Sequence, residues 1–193
     1  MQKIVNEIVE SIKTLRTKTE NKTLIVAIDG RCGAGKTTLA GLLEEEFNCA
    51  AFHMDDFFPR PEQRTEERLS IPGENVDHER FLEEVMRPLL ENRSFYYRPY
   101  DCRSQELTEP IYAEPNNIAV IEGSYSCHPA LWDFYDLRIF LTVEPEEQIR
   151  RIVERNGVEK AEMFKKRWIP LEEKYFAAFD IENRCDLRFS TDI

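Results

Sequence analysis

Leu24-Ile25-Val26-Ala27-Ile28-Asp29-Gly30-Arg31-Cys32-Gly33-Ala34-Gly35-Lys36-Thr37-Thr38 is the stretch that decides the fold. Its first half is a short apolar run with no polar alternation, which predicts a strand buried on both faces of a parallel sheet. Its second half, Gly30 to Thr37, matches G-x-x-x-x-G-K-[ST] completely. A helix is predicted to follow, from about Lys36 to Phe47. Strand, glycine-rich loop and helix in that order are what phosphate binding requires. The glycines let the backbone turn tightly, successive N–H groups face inward, and the helix N-terminus adds partial positive charge. The backbone of Gly30, Arg31, Cys32, Gly33, Ala34 and Gly35 is therefore expected to surround a nucleotide phosphate. Lys36 should reach the outer phosphates, Thr37 should offer its hydroxyl to Mg²⁺, and Thr38 should hold the inner phosphate.

Working outward, further strands are predicted at Ala50 to His53, Ile118 to Ile121, Leu137 to Val143 and Leu187 to Phe189, with helical patterns between them. Alternating strands and helices imply right-handed crossovers and a three-layer α/β domain, a parallel central sheet with helices on both faces. Ligands then bind at the carboxyl ends of the strands. Ahead of the first strand, Ile4, Val5, Ile8, Val9, Ile12 and Leu15 recur at helical spacing, predicting an amphipathic N-terminal helix to about Thr19 that packs on its own domain. The 193 residues suit one domain. Residues 59–115 are less regular and read as an insertion on the substrate side, with a helix from about His78 to Leu90.

Composition excludes several classes. No apolar run approaches the roughly 20 residues a bilayer requires, and the charged opening residues are unlike a secretory signal. A cytoplasmic location is expected. A net charge of −11 disfavours nucleic acid as the main partner. The five cysteines form no Cys-x-x-Cys pair and read as free thiols, and His53, His78 and His128 lack metal-ligand spacing, so they read as structural residues. The partner expected is a small molecule; homo-oligomerisation is left open.

The loop alone does not define chemistry, since GTPases, motors and small-molecule kinases share it. A guanine-specific Asn-Lys-x-Asp element is missing: Asn21-Lys22-Thr23-Leu24 lacks the acid and precedes the loop. Glu122 ends the apolar run Ile118 to Ile121, where a carboxylate would stand near the magnesium. Asp55 follows the second strand and would emerge beside the loop, placed to accept a proton from a substrate; Asp56 is the reserve candidate. Arg150, Arg151 and Arg155 follow the strand Leu137 to Val143. Residues 150–167 carry seven basic and three acidic side chains, a local balance of +4 that favours phosphate contact. This region, 150–168, reads as an arginine-bearing lid, with Arg150 or Arg151 stabilising the transferring phosphoryl group. Asp77, Tyr100, Asp101 and Arg103 are candidate substrate contacts, since acids accept hydrogen bonds from sugar hydroxyls and a tyrosine ring can support a planar base. Trp168, Tyr175, Phe176 and Phe179, at near-helical spacing, read as a packing face.

Gly30 to Thr37, Asp55-Asp56-Phe57-Phe58, Asn75-Val76-Asp77-His78, Tyr100-Asp101 and Ile121-Glu122-Gly123 occur in an order that resembles the uridine kinase and phosphoribulokinase family, over most of the chain. The resemblance implies ATP- and Mg²⁺-dependent phosphoryl transfer to a hydroxyl, with Asp55 as base and Asp77 on ribose hydroxyls. Asp55 to Phe58 looks more like nicotinamide riboside kinases, whereas Asn75 to His78 looks more like uridine kinase. A base-contacting histidine follows the Tyr-Asp element in uridine kinases, and Tyr100 to Gln105 has none. The resemblance also implies adenine contacts near the C-terminus. This sequence ends soon after Leu187 to Phe189, which leaves the nucleobase edge open.

Overall fold

The computed structural model describes residues 1–17 and 22–192. Five parallel strands form the central sheet: β1 (Leu24–Gly30), β2 (Ala50–His53), and, numbering through the chain, β7 (Ile118–Glu122), β8 (Leu137–Thr142) and β9 (Leu187–Ser190). Their order is β2-β7-β1-β8-β9. Val26 lies opposite Val120 on one side and Leu137 on the other. Every residue of β1 and of β7 is buried, which is why both read as apolar runs without alternation. The chain leaves β1 for one half of the sheet and later crosses to the other half, so the carboxyl end of β1 stands at the switch point where α/β sheets bind ligands.

Alternate residues of the strands feed two cores. Leu24, Val26 and Ile28 face α1 (Gln2–Arg16) and α2 (Lys36–Phe47), whose Val5, Ile8, Ile12, Leu39 and Leu43 complete that layer. The amphipathic stripe of α1 thus packs on its own domain. Fully burying an isoleucine such as Ile8 contributes roughly 1.5–3 kcal/mol. The expected continuation of α1 to Thr19 lies outside the described residues, as does Asn21. Ile25, Ala27, Ala119 and Ile121 face the opposite layer with Phe52, Phe81, Phe140 and Tyr175.

Between β2 and β7 lie α3 (Glu66–Ser70), α4 (His78–Phe81) running through a wider π turn, Leu82–Met86, into α5 (Arg87–Leu90), and four short strands. Of these, β3 (Phe95–Tyr97) pairs with β6 (Ile111–Ala113), and β4 (Tyr100–Asp101) with β5 (Glu106–Leu107), both antiparallel. After β8 come α6 (Pro145–Asn156), α7 (Val158–Met163), a second π turn (Phe164–Trp168), α8 (Ile169–Phe179) and α9 (Ile181–Arg184). No helix among the described residues is long and apolar enough to cross a membrane.

Candidate active site

The carboxyl ends of β1, β2 and β7 open into a cavity of about 980 Å³. Its floor is the glycine-rich loop. Gly30 has φ +132°, and a Cβ there would fall 2.0 Å from the Leu141 carbonyl oxygen, so only glycine lets β1 and β8 lie this close as the chain turns. Gly35, at φ +90°, is the N-cap of α2 and aims that helix's first turn into the cavity.

Lys36 is buried, and its ammonium donates to the carbonyls of Gly30 (2.6 Å) and Arg31 (3.1 Å) and to Ser124 Oγ (3.4 Å). The Thr37 hydroxyl donates to Glu122 Oε1 at 3.1 Å, and His53 Nδ1 lies 2.6 Å from the same oxygen. That hydrogen bond to Glu122 holds the His53 imidazolium above its ordinary pKa. A hydroxyl and a buried carboxylate side by side form a hard oxygen donor pair of the kind that, with phosphate oxygens and water, fits Mg²⁺. Gly33, Gly35, Lys36, Thr37, Thr38 and Glu122 all line the cavity.

Two side chains of the loop go elsewhere. Arg31 turns away, its guanidinium bonded to Glu173 (2.8 and 3.2 Å), Thr142 (2.7 Å) and Glu182 (3.1 Å), so only its backbone remains in the loop. Ala34 is fully buried in the α2 layer. The Cys32 N–H donates to Glu172 Oε2 at 3.1 Å, and burial pushes the Cys32 thiol well above the usual range, so it is protonated and inert at neutral pH.

Across the cavity, β2 runs into a 3₁₀ turn, Met54–Phe57, that leaves Asp55 exposed on the cavity wall. Asp56 is turned aside and half-buried; burial raises its pKa, and its carbonyl accepts from Arg80. Of the two neighbouring acids, Asp55 is therefore the one that lines the cavity.

The other substrate-side candidates are placed differently from expectation. Asp77 is 1% exposed and caps α4, accepting from the Arg80 N–H (3.2 Å) and pairing with Arg60 and Arg80. Its carboxylate is committed to that turn, and its neighbours Asn75 and Val76 line the cavity instead. Tyr100 is buried with its hydroxyl held by Arg64. Asp101 accepts from the Arg103 N–H in an exposed turn, and of this segment Cys102 lines the cavity.

The arginines separate by helix phase. Arg150 is on the outer face of α6 between Glu147 and Glu154, three residues before and four after it, each at 2.6 Å; it does not reach the cavity, contrary to its expected catalytic place. Arg151, one residue or about 100° further round, lines the cavity and bonds the Gly33 carbonyl (3.2 Å) and Thr191 (2.7 and 3.0 Å). Arg151 also pairs with Glu147 Oε1 at 2.6 Å, the oxygen that Arg150 shares; Arg155 lines the cavity too, with its Nε donating to Asn156 Oδ1 at 2.8 Å.

Several lining residues were not expected at the cavity from the sequence. Trp168 is not part of the packing face with Tyr175 and Phe176. The π turn brings it to the cavity, edge-on to Phe58 with ring centroids 5.9 Å apart. Tyr125 is held at φ +73°, rare for an aromatic, with its ring against Tyr175, and the buried Asn75 Oδ1 has no hydrogen-bond partner among the described residues. Met1 and Ile4, at the start of α1, line the cavity beside Ser190, Thr191 and Asp192.

A strand-loop-helix phosphate cradle at the switch point of a five-stranded parallel sheet defines a P-loop nucleotide-binding protein. A family model described as an AAA domain matches residues 26–169. The chain belongs to this P-loop family. Among curated relatives, a uridine kinase of Ligilactobacillus salivarius is 27% identical over 155 residues, spanning 73% of this chain and 70% of that protein. A uridine kinase of Alkaliphilus metalliredigens is 28% identical over 151 residues, covering 72% and 71%. The solved structure of a possible uridine kinase from Bacillus stearothermophilus superposes with a TM-score of 0.64 at 21% identity, covering 95% of this chain and 99% of that one, and shares the fold. The chain is thus related to P-loop kinases of the uridine kinase kind.

Proposed function

We propose that this protein transfers the terminal phosphoryl group of ATP to a hydroxyl of a small metabolite of the nucleoside type. The observation that carries the reading is the placement of Asp55 on the same cavity wall system as Lys36, Thr37 and Glu122. A carboxylate facing a phosphate cradle is what hydroxyl activation needs, because positioning and charge stabilisation supply most of a phosphoryl-transfer acceleration.

In this reading the N–H groups of the loop and Lys36 hold the nucleotide's outer phosphates. Mg²⁺, held through Thr37 and Glu122, supplies neutralisation of phosphate charge. Asp55 takes the proton of the acceptor hydroxyl as its oxygen bonds to phosphorus and the bond to the ADP oxygen breaks. Arg151 and Arg155 stabilise the charge on the transferring group. Phe58 and Trp168 form an aromatic wall suited to a planar ring, which supports a nucleoside or a ribosylated heterocycle such as nicotinamide riboside.

The test is coupled ADP release with ATP and Mg²⁺ against uridine, cytidine, nicotinamide riboside, pantothenate and sugar phosphates. One acceptor should raise turnover well above background, and Asp55→Ala should remove about 10²- to 10⁴-fold of that increment. Tight nucleotide binding with no acceptor-dependent turnover across a broadened panel would replace this reading with that of a nucleotide-binding regulator.

A further inference from the structure

The turn ahead of α4 and the loop after β7 supply Asn75, Val76, Ser124 and Tyr125 to the cavity. The same two segments bring three metal-ligating side chains together: the ligand atoms of Glu74, His78 and His128 lie within 4.8 Å of one another. Fifty residues separate the two histidines in sequence, so no spacing motif announces the cluster. His78 Nε2 is 3.2 Å from Glu74 Oε1. The two imidazole rings stack at 4.1 Å, with 15° between their planes.

Two features suit this cluster to a cation. Arg68 Nη2 holds Glu74 Oε2 at 3.1 Å, which orients the carboxylate and leaves Oε1 on the histidine side. Gly73, at φ +88°, admits the close approach, since a Cβ there would sit 2.9 Å from His128 Cδ2.

We propose that Glu74, His78 and His128 bind one divalent cation of the zinc class, at a site separate from Thr37 and Glu122. Two imidazoles and a carboxylate are a three-ligand zinc set with a fourth position for water, whereas Mg²⁺ prefers oxygen donors. Tetrahedral zinc places its N and O ligands about 3.3 Å apart. The His78–Glu74 edge is already at 3.2 Å, and His128 closes the remainder by swinging out of the stack. The movement releases the 3.2 Å bond that His128 Nδ1 accepts from the Ala130 N–H, an exposed residue whose amide water can satisfy. A bound ion would fasten together the two segments that wall the acceptor side of the cavity.

The experiment uses the full chain, stripped with chelator and kept in Mg²⁺ buffer. Cobalt(II) should bind at one equivalent with the visible d–d absorption of a four-coordinate site and without thiolate charge-transfer bands. Zinc should raise the melting temperature to a plateau, and both responses should vanish in His128→Gln and in Glu74→Gln. Should His128→Gln fail to fold, Glu74→Gln, whose side chain is partly exposed, carries the comparison together with His78→Gln. Equal metal responses in wild type and Glu74→Gln, or thiolate bands that disappear in Cys102→Ser, would overturn the proposal, as would no response in the wild type.

Discussion

The two sides of the cavity are made from different material. The phosphate side is one continuous segment, residues 30–38, and works mainly through backbone N–H groups and a helix end. The acceptor side is assembled from side chains of Asp55, Phe58, Asn75, Cys102, Tyr125 and Trp168, drawn from segments more than a hundred residues apart. A site built from backbone has its geometry fixed by local sequence, because glycine positions and helix starts are local properties. A site built from side chains depends on the packing of elements that sequence places only approximately.

The largest effect expected on this comparison comes from the phosphate side. Lys36→Ala should lower kcat by about 10²- to 10³-fold, the loss typical of one preorganised charge-stabilising donor, in the coupled assay with the best acceptor. A variant retaining near-normal kcat would break the assignment. Next is the pair at the lid. Arg151→Ala should cost roughly 10- to 100-fold in kcat/KM, equivalent to one or two charge-assisted hydrogen bonds. Arg150→Ala, which removes only exposed pairs with Glu147 and Glu154, should stay within about twofold, as exposed ion pairs contribute little. Equal losses in the two variants would refute the separation by helix phase.

Smaller again is the acceptor wall. Trp168→Ala should raise the acceptor's KM by about tenfold, in line with loss of one aromatic contact and some buried surface, while the KM for ATP changes little. A matching rise in both constants would move Trp168 to the nucleotide. The gentlest effect is a slope of stability against pH at Asp29, behind the phosphate loop. Burial raises this carboxyl to about 6, opposed by hydrogen bonds from the N–H groups of Cys127 and Gly30 and by Lys36. Between roughly pH 4, its unfolded value, and 6, the folded state keeps a proton that the unfolded chain has released. Its contribution to stability is therefore full below the unfolded pKa and lost as pH rises through about 6. Asp29→Asn should flatten that part of the urea-midpoint profile; an unchanged slope would place the titration elsewhere.

These contrasts explain what the sequence disclosed. All five strands of the main sheet and α2 were legible because buried parallel strands read as apolar runs and the loop motif fixes the helix start. The places of Asp55 and Glu122 on the cavity wall were legible because each directly follows or ends a strand whose carboxyl end faces the loop. Arg150 and Arg151 could not be separated, since a one-residue uncertainty in helix phase swings a side chain by about 100°. Trp168 was misread because a π turn breaks the 3.6-residue period on which the packing-face reading rested. Asp77 was misread because its type and position suit both a sugar contact and a helix cap, and only the tertiary placement of Arg60 and Arg80 decides between them. Asn75 entered only as part of the Asn75 to His78 resemblance and Tyr125 carried no signal; their places on the cavity come from a turn and a strained loop that meet through folding.

The first turn of α1 has a practical consequence. Met1 lines the cavity together with Thr191 and Asp192, and its Cε reaches to 3.4 Å from where a Cβ on Gly35 would stand. Any polypeptide joined ahead of Met1, such as an affinity tag or a fused reporter, would emerge at the cavity mouth beside the phosphate loop. Purification handles for this protein therefore need to be cleaved, or set on a spacer, before a nucleotide titration is interpreted.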